Sequence, residues 1–401
     1  MPAILAVPAM AVLIAAMTGT PMPRILDEVV AAGAARLVDA YLMVFAGAML
    51  GRVVMQTGIA ESIIRRAAEF GGDKPLAVAV TMMVAVALLF TTMTGLGAVI
   101  MVGGLALPIM MSIGVPRKLA GVLFLLAYGL GYIFNIASWG FYQKTLNLDA
   151  QAVKGFAVTL LLIDLLAVAV FLFIASRRMN KYGAWAVAVD ENEGDKERKR
   201  GVPLISLLIP LLPLVLHIGL KWQVLPAFLA SAIVGVLLTR PREAVRQLSG
   251  AAVRGLEDVA PAIILMIGIG MLLNATKLPG VQAALQPVVQ SINFRSPLVY
   301  LAAFGLLSPL CLYRGPLNPY GIGIGVYSLI GQLNLLPPLA LLAALMCVVQ
   351  VQNVCDPTNT HNVWTANYVG MRVEEITRET LAMKMVICLL GLVAGLWFYL
   401  R

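Results

Sequence analysis

The densest polar run in the apolar part of the chain is Asp356-Pro357-Thr358-Asn359-Thr360-His361-Asn362. Proline removes a backbone donor and clashes with the preceding turn, so the run predicts a broken helix. A carboxylate, hydroxyls and amides at such a break can together ligate Na⁺ or relay a proton. Asp356 is the leading ion-coupling residue, with His361, whose imidazole titrates near neutral pH, and Asn362 beside it. Thr358, Asn359 and Thr360 are candidates for substrate contact. The plainer alternatives are an ion pair between Asp356 and Arg314, and a His361 that is only a hydrogen-bonded structural group.

Arg314 lies in a second polar segment, Tyr313-Arg314-Gly315-Pro316-Leu317-Asn318-Pro319-Tyr320-Gly321. An arginine far from the membrane interface costs about 2.5–3.5 kcal/mol on insertion scales unless it is partnered. Bidentate bonding to a carboxylate is what its planar fork does best. It therefore predicts contact with a substrate anion, and Asn318 is a plausible amide partner. A third segment, Thr91-Thr92-Met93-Thr94-Gly95, offers the hydroxyls of Thr91, Thr92 and Thr94 beside Gly95 and Gly97, where backbone can approach a ligand. The competing reading is that threonines in spanning helices bond the backbone one turn back. Asn135 and Ser138 form a weaker fourth pair, weighed against a simple helix cap.

Other polar residues carry less. Asp164, in the middle of an apolar stretch, reads as a buried structural pairing in preference to a proton path. His217 stands near the end of an apolar helix and reads as structural. Cys311, Cys347, Cys355 and Cys388 have no CxxC spacing and read as small buried hydrophobes, without disulfide or metal roles. No His/Asp/Glu cluster has metal or nucleophile spacing, which argues against a membrane-embedded enzyme.

These residues must be held by lipid-facing helices. Of 401 residues, 60% are hydrophobic and only 12% charged, with mean hydropathy +0.91, an excess that no single soluble core could bury. The first apolar stretch, 2–18, lacks a basic leader and reads as a spanning helix, not a cleaved signal. The net charge of +9 sits in loops between apolar helices, as the positive-inside rule requires, so no nucleic-acid partner is implied.

The chain contains itself twice. An offset of 222 superposes Gly58 on Gly280, Pro75-Leu76 on Pro297-Leu298 and Pro116 on Pro338. An offset of 218 superposes Pro23-Arg24 on Pro241-Arg242, Arg36 on Arg254 and Asp39 on Glu257. The first repeat covers 1–176, a hydrophilic linker 177–202, and the second repeat 203–401. Each repeat predicts a span (3–18; 224–239), an amphipathic stretch (24–36; 242–254), a second span (37–55; 258–273) and a surface helix (59–70; 281–292). Then come two half-length runs around a polar tip (75–113; 297–333), a broken helix (119–149; 339–373) and a last span (153–175; 381–400). One extra helix, 203–220, opens the second half. Runs of about 12–16 residues cannot cross a core that needs roughly 20, so each pair predicts a re-entrant hairpin. The fold class is thus an all-α polytopic membrane protein with two re-entrant hairpins and two broken helices in inverted repeats.

The linker's seven basic and five acidic residues place it in the cytoplasm. Counting outward, Arg65-Arg66, Arg117-Lys118, 240–254 and 372–384 also face inward, about 20 of the 29 Lys and Arg residues. Five crossings separate the hairpins, which inverts the second relative to the first. The N-terminus is expected in the cytoplasm and the C-terminus outside, in a bacterial inner membrane. Breaks at membrane depth leave backbone N–H and C=O groups unpaired, which persists where they line a binding cavity. Paired breaks at matching positions of two repeats point to secondary transport by alternating access, with a carboxylate at half-helix N-termini and H⁺ or Na⁺ at unwound carbonyls. No further cofactor is implied. Rival readings are a cation/proton antiporter and, less suited to two opposed hairpins, a channel.

The stretch from Gly72-Asp73-Lys74-Pro75 to Thr91-Thr92-Met93-Thr94-Gly95, with Pro108-Ile109-Met110, Ile113-Gly114-Val115-Pro116 and Asn135-Ile136-Ala137-Ser138-Trp139-Gly140, resembles the first half of citrate–metal:proton symporters. These belong to the ion transporter superfamily, with gluconate and C4-dicarboxylate permeases as relatives. The resemblance implies a homodimer, fixed scaffold helices and a transport domain moving as an elevator. It also implies uptake of an organic anion, such as a di- or tricarboxylate or a sugar acid, coupled to protons or Na⁺. By the match, both tips and both breaks carry over as substrate or ion contacts. The first tip departs from that family in being threonine-rich where acidic residues are expected, which weighs against metal–citrate as the substrate.

Overall fold

The structure, a computed structural model, describes residues 3–179 and 202–400. Most of the hydrophilic linker falls outside the described residues. The described residues form helices joined by turns, with no strand among them, and proline sets much of the punctuation. The helices α3 (Ile59–Gly71), α4 (Pro75–Phe90), α5 (Leu96–Ser112) and α6 (Arg117–Ile133) follow α1 (Ala3–Met17) and α2 (Val38–Gln56). Then come α7 (Ile136–Leu146), α8 (Ala150–Met179), α9 (Leu204–Gly219), α10 (Val224–Thr239), α11 (Ala244–Ala275) and α12 (Pro279–Gln290). The chain closes with α13 (Pro297–Arg314), α14 (Gly323–Gln332), α15 (Pro338–Cys355), α16 (Thr360–Val369) and α17 (Val373–Tyr399). Pro75, Pro279, Pro297 and Pro338 occupy first-turn positions and Pro116 caps α6, where a missing N–H costs nothing. The residues that keep register between the halves are therefore largely helix starts.

Two groups of helices emerge from the packing. In one, α11 lies against α2 and α1, and α10 packs on α2. Small residues let these backbones meet: a Cβ added at Gly255 would lie 2.8 Å from the Met49 amide nitrogen. The other group is centred on α6 and α15, with α4, α5, α8, α13, α16 and α17 around them. Every residue of α15 from Ala340 to Cys355 is buried, as is every residue of α6 from Ala120 to Gly131. By contrast, α8 exposes Leu162, Leu165, Leu166, Val170 and Phe173. A helix apolar on all sides belongs either inside such a bundle or against lipid, and this fold uses both.

Among the described residues six helical segments are long and apolar enough to cross a membrane, α13 among them although its apolar run was expected to be only half-length, and the bent pair α6–α7 makes a seventh. α1 and α10, with 15 and 16 residues, are shorter than the roughly 20 residues a span needs, and so is the extra helix α9. Pro210 and Pro213 turn α9 into a mixture of 3-10, α and π segments.

Several boundaries differ from the sequence reading. The stretch expected as an amphipathic segment followed by a separate span at 258–273 is one continuous helix of 32 residues, α11. Its counterpart in the first half is interrupted at Leu37, whose φ of −107° and ψ of 23° leave the helical region. The first break, expected over 135–140, narrows to Phe134 and Asn135, and the chain turns there by 51°. The second, expected over 353–362, narrows to 356–359, and 338–369 holds together as one run of 32 residues. At the first break the Asn135 side chain caps the resuming helix through the Ser138 amide; at the second, α16 starts without a side-chain cap, and Asn359 and Asn362 instead bond carbonyls at the end of α15.

Candidate functional site

The first tip is closed by the first break. Asn135 caps α7, its Oδ1 accepting from the Ser138 amide at 3.2 Å and the Ser138 hydroxyl at 3.3 Å. Its Nδ2 donates to Phe90 O at 2.9 Å and Met93 O at 3.2 Å, and the Ile136 amide donates to Thr91 O. Asn135 is fully buried, and its amide is spent on holding hairpin and break together. Thr91 Oγ1 donates to Leu88 O at 2.7 Å and Thr92 Oγ1 to Leu89 O at 3.4 Å, the backbone bonding expected of threonines in such a helix. Thr94 differs: its hydroxyl is buried without a hydrogen-bond partner. Gly95 follows at φ +89° and ψ 162°, a conformation that only glycine adopts readily. Its neighbour across the gap is Asp258 of α11, which pairs with Arg52 of α2.

The second tip is closed in the opposite electrostatic sense. Asp356 is fully buried at the end of α15. Its Oδ1 accepts from the Tyr313 amide at 3.0 Å, the Thr358 amide at 2.9 Å and the Thr358 hydroxyl at 2.8 Å; its Oδ2 accepts from Asn318 Nδ2 at 3.2 Å. All four neighbours are donors. Asn318 completes the tip, donating to Cys311 O at 2.8 Å and accepting from the Tyr320 amide at 2.9 Å. Tyr313 and Arg314 both adopt positive φ, +54° and +59°, so the tip holds two L-residues in a region they seldom occupy.

Arg314 does not pair with Asp356, and among the described residues it makes no ion pair. Its guanidinium is half-buried and Nη1 donates to Tyr320 O at 3.3 Å. Its remaining N–H groups have no bonds to protein, a configuration open to a planar anion. Beyond the break, three side chains converge on the carbonyl of Asn353: Asn359 Nδ2 at 3.4 Å, His361 Nε2 at 2.7 Å and Asn362 Nδ2 at 3.1 Å. A carbonyl only accepts, so Nε2 carries a hydrogen and donates it. The His361 ring lies over Tyr128 of α6, centroids 4.5 Å apart. Thr360 opens α16 and is exposed, as is Thr358.

The two halves meet through aromatic residues that the sequence reading passed over. Tyr132 at the end of α6 and Tyr320 of the second tip share a hydroxyl–hydroxyl bond of 2.7 Å, and the Tyr320 ring lies against Phe141 of α7. The structure thus brings Arg314, Asn318, Asp356 and Thr358 together, and joins them through Tyr320 to the Asn135 break. Buried polar atoms left without partners gather at the second break: Gln352 Oε1, Asn353 Nδ2, Asn362 Oδ1 and Thr365 Oγ1. Such atoms are costly when unsatisfied and mark where water, an ion or a ligand belongs. Among the described residues no group of three His, Cys, Asp or Glu side chains could hold a metal.

One expectation is overturned. The basic stretch ending at Lys384 was placed with the cytoplasmic charges, yet Lys384 is fully buried in α17 and binds both oxygens of Asp164 in α8, at 3.0 and 2.8 Å. Counting charges by sequence position cannot tell a loop lysine from one turned inward by the helix that carries it. Asp164 is paired, as its sequence context suggested. His217 Nδ1 is 2.7 Å from Trp222 O, a local structural bond. The four cysteines are free and buried.

No protein-family model matches the sequence, and no curated protein does. Solved structures resemble the fold. The YdaH transporter of Alcanivorax borkumensis superposes with a TM-score of 0.59 at 15% identity, covering 89% of this chain and 86% of that one. MtrF of Neisseria gonorrhoeae, described within a class of antimetabolite efflux pumps, superposes with a TM-score of 0.60 at 12% identity, covering 94% of this chain and 84% of that one. The chain therefore has the fold of polytopic membrane transporters.

Proposed function

We propose that this protein is a secondary active transporter that moves a small organic carboxylate across a bacterial inner membrane, coupled to H⁺ or Na⁺. The observation that carries the reading is Arg314: a half-buried guanidinium, held on a strained tip, with most of its donors unspent and no carboxylate among the described residues paired to it. A di- or tricarboxylate or a sugar acid supplies the missing partner. Asn318 and Asp356 hold the tip in place, with the Thr358 hydroxyl bonded to Asp356, while Thr94, the exposed Thr360 and the orphaned atoms of Gln352 and Asn362 offer further polar contacts and oxygen ligands for a cation. The resemblance of the first half to citrate–metal:proton symporters supports the same substrate class. It also supports a homodimer in which the α1–α2–α10–α11 group is the scaffold and the α6–α15 group moves. Arg314 weighs against the rival cation/proton antiporter, which has no use for an anion-binding fork.

The test is transport of labelled citrate, succinate, gluconate and lactate in proteoliposomes under imposed Na⁺ and proton gradients, measured in both directions because MtrF is described as an efflux pump. Arg314→Ala is expected to abolish movement of the accepted anion at normal protein levels, and Arg314→Lys to keep part of it. Near-normal uptake in Arg314→Ala would overturn the assignment.

A further inference from the structure

We propose that the buried Asp164–Lys384 pair is a proton-binding site, the station at which the coupling proton rests during the transport cycle; this deepens the secondary-transport reading and depends on it. Both side chains have no exposure at all. Lys384 Nζ bonds both oxygens of Asp164 and approaches Gln350 Oε1 of α15 at 3.4 Å. The two residues stand 220 positions apart, between the offsets of 218 and 222 that superpose the halves. They occupy the same place in each half, on the helices that close them, α8 and α17. Gln350 stands 221 positions after Gly129 of α6, and a Cβ added at Gly129 would lie 3.3 Å from Lys384 Nζ and 3.4 Å from Gln350 Oε1. The pair therefore lies where α6, α8, α15 and α17 meet, against the two helices that carry the breaks.

Net stability is a weak account of it. Replacing a buried ion pair by apolar side chains of similar volume is often neutral or stabilising, because desolvation offsets the attraction. An ionisable group at membrane depth is thus first a candidate for function. The alternative carboxylate, Asp356, has both oxygens committed to four donors that hold the second tip. The pair can take a proton without disturbing either tip. A proton from water bonds an Asp164 oxygen, the pair passes from net zero to +1, and Lys384 keeps its three hydrogens and its contact with Gln350. On the other side the new O–H bond breaks, the proton returns to water and the ion pair re-forms. The pair travels with the α6–α15 group, and a local separation of α6 or α15 from α8 and α17 within that group is what opens the site. The buried titratable groups on the surrounding elements are thiols and phenols: Cys347 and Cys355 on α15, Cys388 on α17, Tyr128 on α6, Tyr142 on α7 and Tyr300 on α13; Tyr132 of α6 is half-buried, and the charged Arg117 and Lys118 of α6, Lys154 of α8 and Glu374 and Glu375 of α17 stand near the starts of their helices. Arg378 and Glu379 of α17 are exposed and do not face it.

The experiment needs no substrate, so its outcome is separable from that of the transport assay. Protein carrying aspartate labelled with ¹³C at the carboxyl is reconstituted in lipid, and infrared difference spectra are recorded between about pH 8 and about pH 5. Asp164 and Asp356 are the fully buried aspartates among the described residues, and Asp356→Asn separates them. The wild type should gain a label-shifted band of a protonated, buried carboxylic acid. Asp164→Asn/Lys384→Met, which removes both charges at near-constant volume, should lose it, and the exchanged pair Asp164→Lys/Lys384→Asp should restore it. A wild-type spectrum without such a band, or a band that persists in the neutral double variant, would make the pair a static staple and overturn the proposal.

Discussion

The two tips are held by the same device with the charge reversed. In each half the side chain at the start of the helix break reaches back to the hairpin tip of its own half: Asn135 to Phe90 O and Met93 O, Asp356 to the Tyr313 amide and Asn318 Nδ2. The two residues stand 221 positions apart, between the offsets of 218 and 222 on which the sequence reading set the repeat. The first clamp donates to carbonyls and is neutral; the second accepts from N–H groups and is an anion. An amide closing one tip and a carboxylate closing the other give two geometrically similar sites opposite electrostatic character. That asymmetry places Arg314 beside the charged clamp and the threonines beside the neutral one.

The charged clamp should be the more costly to remove. Asp356→Ala strands buried donors on both sides of the break and is expected to destabilise the protein on the order of 3–5 kcal/mol, seen as a large fall in melting temperature in detergent and in the level of inserted protein. Asp356→Asn should be milder, because its oxygen still accepts from Tyr313 and Thr358 while its new NH₂ opposes only that of Asn318. Equal losses for the two variants would remove the distinction drawn here between acceptor geometry and charge.

The order should invert at the neutral clamp. Asn135→Ala leaves two buried carbonyls and the Ser138 amide unpartnered, a loss of about 1–3 kcal/mol. Asn135→Asp restores the cap to Ser138 but sets an anion against Phe90 O and Met93 O, so it should cost more than the alanine. Thermal melts of the four variants side by side test the inversion. If aspartate is tolerated at 135 as well as asparagine, the two clamps are interchangeable and the electrostatic contrast has no consequence.

Sequence made some of this legible and hid the rest for a physical reason. Breaks and tips are written in residues that act locally. Pro357 ends a helix wherever it stands, and Gly95 permits its own φ. Asp356, Arg314, Asn318 and Thr94 announced themselves as polar groups in apolar runs. The offset between the halves rested on Pro75, Pro116, Pro297 and Pro338, which prove to mark helix starts. Partnership was not legible. Lys384 sits five residues after Glu379, in a stretch that reads as a charged membrane flank, and only the rotation of α17 turns one residue inward and the other out. Tyr132 and Tyr320 look like ordinary apolar filling until the fold places their hydroxyls 2.7 Å apart. Helix breaks likewise looked longer than they are, because Ser138 and Asn362 were counted as interruptions although each lies inside the helix that resumes, the first bonded to Asn135 and the second to carbonyls at the end of α15.

The smallest effect on stability should discriminate most finely within the first tip. Thr91 and Thr94 are three residues apart with the same hydroxyl, but Thr91 spends it on Leu88 O and Thr94 spends it on nothing. Thr91→Val removes one backbone bond and should cost about 0.5–1.5 kcal/mol, with uptake of the accepted carboxylate within twofold of wild type. Thr94→Val replaces an unsatisfied buried hydroxyl by a methyl of the same shape, so stability should hold or rise slightly. If that hydroxyl is kept for the substrate, Thr94→Val loses a bond made only when the anion is bound, and its apparent affinity in proteoliposomes should fall about tenfold, a change of about 1.4 kcal/mol. The same affinity in both variants would mean that the neutral tip is scaffolding alone, leaving the charged tip to recognise the anion unaided.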